Sequence, residues 1–192
     1  MKKILISVLT ACSLIPAHAD LFQYTATFSD AGEANPSSGT GFGTVDYNST
    51  LHTLALSVNF SGLTGLTTAS HIHAATAVAG TGNAGVATTT PTFVGFPLGV
   101  SSGSFANTLD LTLASSWNPS YVTAHGGTTA QAELDLVAAI AAGKAYWNIH
   151  STFSPGGEIR GFLTAVPEPC SLSLLGLGGI AFLARRSFSR KS

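Results

Sequence analysis

The chain has 192 residues, of which 45% are apolar and only 9% are charged, and its formal net charge is −1. This length suits one domain with appendages, and the charge balance argues against a nucleic-acid-binding protein, which needs a basic face to neutralise phosphates. Six of the eight basic residues lie in the two terminal segments. Residues 20–166 hold two basic and eight acidic side chains, so this middle part has a net charge of −6.

The first 19 residues have the order of a secretory signal peptide. Lys2 and Lys3 form a positive start, residues 4–15 are mostly apolar, and Ala17 and Ala19 are the small residues that precede a cleavage site. The sequence therefore predicts a signal helix over residues 1–19 that is removed after Ala19. An ordinary buried N-terminal helix is the structural alternative.

Both cysteines lie in the terminal segments, at positions 12 and 170. Residues 9–12 resemble a lipoprotein box with Cys12 as the lipidated residue, which is a further alternative to cleavage after Ala19. The middle part contains no cysteine, so it has no disulfide and no thiolate to act as nucleophile or metal ligand. Its stability must come from an apolar core.

The middle part starts with repeated strand patterns. Residues 51–60 alternate apolar and polar side chains, as expected for a strand with one buried face. Glycines separate most of these segments, which favours an antiparallel β-sandwich or a Greek-key, barrel-like domain. We predict strands at 21–28, 41–47, 51–60 and 69–74, a pair within 95–113, and a loop over 79–90.

One short helix and a closing hairpin follow. Thr128 has the character of an N-cap with Gln131 as its capping-box partner, and Gly143 is a typical helix end. The apolar residues predicted to form the buried helical face are Leu134, Val137, Ile140 and Ala141. Beyond the helix, residues 146–152 and 158–163 read as two strands joined by a turn over residues 154–157.

The C-terminal end combines a proline motif, an apolar run and a basic tip. Pro167, Glu168 and Pro169 precede the apolar residues 170–184, and Arg185 and Arg186 follow. Fifteen residues make a helix of about 22 Å, which is short of a ~30 Å hydrocarbon core unless the bilayer thins and the arginines snorkel. We predict a transmembrane helix whose basic end stays cytoplasmic, which places the preceding domain outside.

This arrangement resembles the PEP-CTERM sorting signal of Gram-negative bacteria over residues 166–192. The resemblance implies recognition of Pro167, Glu168 and Pro169 by an exosortase, and release to or attachment at the cell surface of a biofilm or exopolysaccharide producer. These residues then form a sorting motif with no catalytic role. A plain membrane-anchored structural protein, with a proline-rich hinge before its anchor, is the alternative.

Three further motifs resemble the CHRD domain over residues 20–165. They are His71-Ile72-His73, the segment 145–151 that ends in His150 and Ser151, and the segment 155–161 that contains Glu158 and Arg160. The resemblance implies an extracellular β-sandwich-like module without a defined enzymatic activity. It favours a surface-sorted binding or extracellular-matrix module whose partners are the secretion machinery, exosortase and polysaccharide or matrix proteins.

The histidines are the candidate metal ligands. His71 and His73 are two residues apart on a predicted strand, so both rings point to one face, with Cβ atoms about 6.5 Å apart. His150 is a third candidate if its strand lies beside theirs, and such a set suits Zn²⁺ or Cu²⁺. The His-x-His strand is similar to that of copper/zinc superoxide dismutases, but the sequence lacks their His-rich metal loop and paired cysteines. Semi-buried histidines without metal are the alternative.

Other side chains receive weaker predictions. Glu158 and Arg160 are two residues apart, which predicts a structural pair between them or with His150. Trp117, Tyr121 and Trp147 are candidates for stacking on sugar faces, with core packing as the alternative for Trp147. The sequence assigns no role to the remaining histidines of the middle part, His52 and His125.

Overall fold

The computed structural model describes residues 21–167, which form two antiparallel β-sheets and two α-helices. The first sheet has five strands in the order β5-β3-β2-β1-β8, and the second has three in the order β4-β6-β7. This architecture confirms the predicted mostly-β antiparallel fold. The elements are β1 (Leu21–Phe28), β2 (Thr40–Asn48), β3 (Thr53–Ser61), β4 (Thr67–His73), β5 (Gly103–Asp110), α1 (Pro119–Ala124), α2 (Thr129–Ala141), β6 (Tyr146–Ser151), β7 (Ile159–Phe162) and β8 (Thr164–Ala165).

The inner faces of the two sheets share one apolar core. In β3 the alternation predicted from the sequence is observed, because Leu54, Leu56, Val58 and Phe60 are buried while Ser57 and Asn59 are exposed. Trp147 of β6 lies at the centre of the core. Its ring meets Phe28 and Phe93 edge-on at centroid distances of 5.7 and 5.9 Å, a favoured arrangement for aromatic pairs.

Helix α2 begins where the sequence predicted, but the face that it presents to the core differs in part from the predicted one. The Thr128 hydroxyl accepts a hydrogen bond from the Gln131 backbone N–H, and Gly143 follows the helix with φ of +67°. The predicted face is buried at Ile140 and packs against the core at Val137, but Ala141 is exposed and Leu134 is 62% exposed. The helix turns the side that carries Glu133 to the core, where the Glu133 carboxylate accepts a hydrogen bond from the Tyr47 hydroxyl. The buried residues of α2 are Ala132, Glu133, Leu136, Ala139 and Ile140.

Two further differences concern the segment between β4 and α2. Residues 95–113 contain one strand, β5, where a pair was predicted, because Phe93 and Phe96 insert into the core and anchor an irregular loop. The short helix α1 was not predicted. Its signal was nevertheless present, because Asn118 caps the helix through a hydrogen bond from Ser120 N–H and Pro119 occupies the first helical position.

The predictions for the termini lie mostly outside the described residues. This holds for the signal helix, the lipoprotein box, the transmembrane helix, and the residues Ala17, Ala19, Glu168, Pro169, Arg185 and Arg186. Pro167 is the last described residue and is exposed. Within residues 21–167, no helix has the length and hydropathy needed to cross a membrane.

Candidate functional site

The second sheet has one face on the core and one face under loops. Side chains alternate along each strand, so Ile72, Trp147 and Ile149 enter the core while the histidines of β4 and β6 point the other way. The antiparallel register places Ala69 opposite His150 and His71 opposite Asn148. All six residues of β6 are buried because both of its faces are covered.

Three histidines of this loop-covered face converge, and we call them the histidine cluster: His71, His73 and His150. One ring nitrogen from each lies within 4.8 Å of the other two. The ring centroid of His71 lies 4.7 Å from that of His73 and 4.6 Å from that of His150. All three side chains are buried, with exposed fractions of 6 to 8%.

Backbone carbonyls orient two of the three rings. His73 Nδ1 lies 2.8 Å from the Ala84 carbonyl oxygen, and His150 Nδ1 lies 2.9 Å from that of Pro155. A carbonyl only accepts, so each Nδ1 carries a proton, and in the neutral ring each Nε2 presents a lone pair. These two Nε2 atoms are buried without a hydrogen-bond partner in the described part of the chain. Neither nitrogen of His71 makes a hydrogen bond of good geometry, but the Pro91 carbonyl lies close enough to favour a proton on this ring.

The environment keeps the cluster neutral. Burial, together with the neighbouring His150 and His73, lowers the pKa of His71 to about 3. Burial also lowers the pKa of His73 to about 4 and lowers that of His150. Charged imidazolium rings are disfavoured in such a site because they lose hydration without gaining a counter-charge. Neutral rings with free lone pairs are the form in which histidine ligates metals.

A layered arrangement covers one side of the cluster. The Tyr146 ring stacks on His73 at a centroid distance of 4.7 Å and an interplanar angle of 6°, and the Arg160 guanidinium lies 4.7 Å from the Tyr146 centroid. Arg160 Nε is 3.3 Å from Glu33 Oε1. Beside these layers is an open cavity of about 390 Å³, whose lining includes Glu33, His73, Tyr146 and Asn148.

The predicted pair between Glu158 and Arg160 is not what the structure shows. Arg160 pairs with Glu33 and also donates to the carbonyls of Gly32 and Gly82. Glu158 points the other way and accepts hydrogen bonds from other residues. The alternation that would place Glu158 and Arg160 on one face holds only within a strand. Glu158 lies outside β7, which begins at Ile159, and it follows Gly157, whose φ is +136°. The donors to Glu158 are the hydroxyls of Ser37 and Ser151 and the backbone N–H groups of Thr64 and Gly65.

The aromatic residues suggested for sugar stacking are in the core. Trp117, Tyr121 and Trp147 are 2%, 5% and 0% exposed, so none of them offers a face to a ligand. The remaining histidines have acidic partners. His52 Nδ1 lies 3.0 Å from both oxygens of Glu133, and His125 Nδ1 lies 2.8 Å from Asp135 Oδ2.

Several contributors to the site carried no signal in the sequence. The carbonyls of Ala84 and Pro155 orient the histidines, but a backbone carbonyl leaves no trace in residue identity. Glu33 was one acidic residue among eight in the middle part, and only the tertiary fold brings it to Arg160. The sequence did place His71 and His73 on one face, and the structure adds His150 to them.

The fold and the cluster define a small antiparallel β-sandwich with a buried group of histidines. A family model, the CHRD domain, matches residues 24–163, which is most of the chain, and the protein belongs to the CHRD family. A second model, the PEP-CTERM protein-sorting motif, matches residues 165–190. Comparisons with curated proteins and with solved structures find no match.

The two families define a coarse role. The PEP-CTERM motif indicates export, sorting to the cell surface and processing by an exosortase. Neither family is known for enzymes. The protein is therefore an exosortase-processed surface protein that presents a CHRD domain.

Proposed function

We propose that this surface protein is a non-enzymatic extracellular-matrix module whose CHRD domain binds one transition-metal ion at the histidine cluster. The observation that carries the proposal is the convergence of three buried imidazoles whose inward nitrogens have no hydrogen-bond partner. Zinc and copper are the candidate ions, because both favour imidazole nitrogen. The same three histidines were predicted as metal ligands from their spacing, and the proposal adds the carbonyls of Ala84 and Pro155 that orient two of the rings.

Metal binding would remove an energetic penalty in the folded domain. A buried polar atom without a partner costs about 1–3 kcal/mol, and one ion would take up three such nitrogens, one from each histidine. The carbonyls of Ala84 and Pro155 add the support that metal-ligating histidines usually have at their second nitrogen. Three nitrogens bound to one ion at about 2.0–2.1 Å lie about 3.4 Å apart, so the rings need only a small inward shift.

The burial of the ligands favours holding an ion over catalysis. The inward nitrogens are covered by loops, and a dismutase-like reaction requires a substrate to reach the ion. Among the described residues, the lining of the cavity beside the cluster includes His73 but neither His71 nor His150. Superoxide dismutation therefore remains the less favoured form of the metal hypothesis.

Metal addition is expected to stabilise the exported protein. At a free metal concentration one hundred times the Kd, binding adds about 2.7 kcal/mol, which for a domain of this size raises Tm by about 5–10 °C. Calorimetry combined with metal analysis should give one ion per chain. The variants His71→Ala and His150→Ala should lose both the ion and the shift in Tm.

His125→Gln is the matched control, because His125 pairs with Asp135 away from the cluster. It should keep the ion and the shift in Tm. An exported protein with no stoichiometric metal and a Tm unaffected by chelator contradicts the proposal, as does loss of the ion in the control.

The outer face of the first sheet supports the matrix role. Neighbouring strands place Phe42, Asn59 and Ser104 in one row across this face, and Thr44 and Ser57 in the next. Hydroxyl and amide groups of this kind hydrogen-bond neutral, hydroxyl-rich polymers, and Phe42 is 52% exposed. We propose matrix polysaccharide as the partner of this face.

Processing at the sorting motif is expected to remove residues from the C-terminus. Mass spectrometry of the exported protein should show a chain that lacks the predicted anchor 170–184, whereas the double variant Pro167→Ala, Pro169→Ala should keep it and stay in the membrane fraction. Pro36→Ala changes an exposed proline far from the motif in sequence and should be processed normally.

The same cell fractions test the matrix role, since the processed protein should co-purify with polysaccharide and Phe42→Ser should weaken this association. An exported protein that retains residues 170–192 supports the plain membrane-anchored alternative.

A further inference from the structure

We infer that the histidine cluster selects a monovalent ion with a filled d shell, Cu(I), over Zn(II) and Cu(II). This inference rests on the proposed metal site and names the ion and its oxidation state. It follows from three features of the cluster: the charge of its ligands, their burial and their number.

The ligands carry no charge. Within residues 21–167, the converging group of candidate ligands consists of the three histidines, without a carboxylate or a thiolate. The buried carboxylates nearby have other partners. Glu33 pairs with Arg160, and Glu158 accepts its four hydrogen bonds on the opposite face of the sheet. An ion held by neutral imidazoles alone therefore keeps its full charge.

The ion would be buried with that charge. The three histidines are 6 to 8% exposed, and the cost of transferring an ion from water to a buried site grows with the square of its charge, so a dication costs about four times as much as a monocation of equal size. This cost disfavours Zn(II) and Cu(II) relative to Cu(I).

The number of ligands leads to the same ion. Zn(II) in proteins takes a fourth ligand, often a water where three histidines bind it, and Cu(II) favours tetragonal sites, so each would have to bring at least one water into this buried cluster. The carbonyls closest to the rings already accept hydrogen bonds from His73 and His150. Cu(I) forms stable three-coordinate complexes with imidazoles and so needs no ligand beyond the three histidines.

The composition of the domain makes this inference testable. The chain contains one methionine, Met1, and its cysteines are Cys12 and Cys170, so residues 21–167 hold no sulfur ligand. Cu(I) bound by this domain must therefore use histidine. The experiments use the exported protein with Cys170→Ser, so that an unprocessed C-terminus cannot contribute a thiolate.

The test compares the Kd values of four ions on the same protein. Cu(I) is titrated without oxygen against bicinchoninate, Ag(I) serves in air as a monovalent substitute, and Zn(II) and Cu(II) are titrated against chromophoric chelators. We expect a Kd for Cu(I) at least one hundred times lower than for Zn(II) or Cu(II). X-ray absorption should show Cu(I) with three nitrogen ligands.

A charge variant tests the reason for the preference. Ala69 lies on the face of the cluster, opposite His150 and two residues before His71, so Ala69→Asp adds a carboxylate beside the ion. It should reduce the preference for Cu(I) over Zn(II) at least tenfold. The control, Ala55→Asp, introduces the same change on the outer face of the first sheet and should leave the preference unchanged.

The outcomes separate this inference from the proposed function. Equal or tighter binding of Zn(II) or Cu(II) overturns the preference for Cu(I) and leaves the metal site intact. A preference that Ala69→Asp does not change overturns the charge argument. Binding of none of these ions overturns both the inference and the proposed function.

Discussion

Replacing Glu158 with alanine is expected to lower the free energy of unfolding by about 4 kcal/mol, or Tm by about 10 °C, because four donors would lose their acceptor. Glu158 is fully buried. It accepts hydrogen bonds from Thr64 N–H at 2.5 Å, from Gly65 N–H at 3.2 Å, from Ser37 at 2.6 Å and from Ser151. The carboxylate thereby joins the β3–β4 loop to the hairpin of β6 and β7. Denaturant unfolding followed by circular dichroism measures this loss.

Milder variants keep this prediction testable if Glu158→Ala fails to fold. Glu158→Gln retains the shape but places an amide donor among other donors, which should cost about 2 kcal/mol, and Ser37→Ala removes one donor and should cost about 1 kcal/mol. Asp46→Asn on the outer face of the first sheet is the control and should change stability by less than about 0.5 kcal/mol. Equal stabilities for wild type and Glu158→Gln at pH 7 contradict the assigned role.

The pH dependence of stability should follow the same residue. Burial raises the pKa of Glu158, but the hydrogen bonds from Ser151, Ser37, Thr64 and Gly65 outweigh it and hold the pKa below its ordinary value. Because the pKa of Glu158 in the folded state lies below the unfolded value of about 4.3, the ionised carboxylate stabilises the protein at pH values above about 4.3. This stabilisation is lost as the pH falls through the folded-state pKa. The difference in stability between wild type and Glu158→Gln should therefore shrink below about pH 4.

A methyl group at Gly161 is expected to cost about 3 kcal/mol, because it would push the two sheets apart. Gly161 lies in β7, and a Cβ there would be 2.7 Å from the Thr27 carbonyl oxygen and 3.0 Å from the Ala26 Cβ, both in β1. The sheets meet at this point through paired backbone hydrogen bonds of 3.1 and 2.9 Å between Ser29 and Arg160. A backbone oxygen cannot move aside as a flexible side chain can.

Gly85→Ala is the matched control for Gly161→Ala. A Cβ at Gly85 would meet nothing within 4 Å, and the residue does not have a positive φ. Its Tm should match that of wild type, while Gly161→Ala should lower Tm and increase hydrogen exchange at the amides of Ser29 and Arg160. Equal exchange rates in wild type and Gly161→Ala would show that the sheets do not depend on this close approach.

Prediction from the sequence succeeded where short-range periodicity was enough. The alternation in β3, the cap at Thr128 and the glycine after α2 are local patterns, and each predicted its element correctly. Prediction failed where a polar group far away in the sequence determined which side chains are buried. Helix α2 was expected to bury Leu134, but Glu133 is buried because Tyr47 and His52 provide partners for it.

The sequence by itself determined which chemistry the domain has available. It shows that residues 21–167 contain no sulfur ligand, that His71 and His73 share a face, and that a sorting motif follows the domain. The tertiary structure alone decided that His150 joins them and that Glu158 turns away from Arg160. The reason is physical: which strands become neighbours, here β4 and β6, and where backbone carbonyls lie both depend on contacts between residues far apart in the sequence.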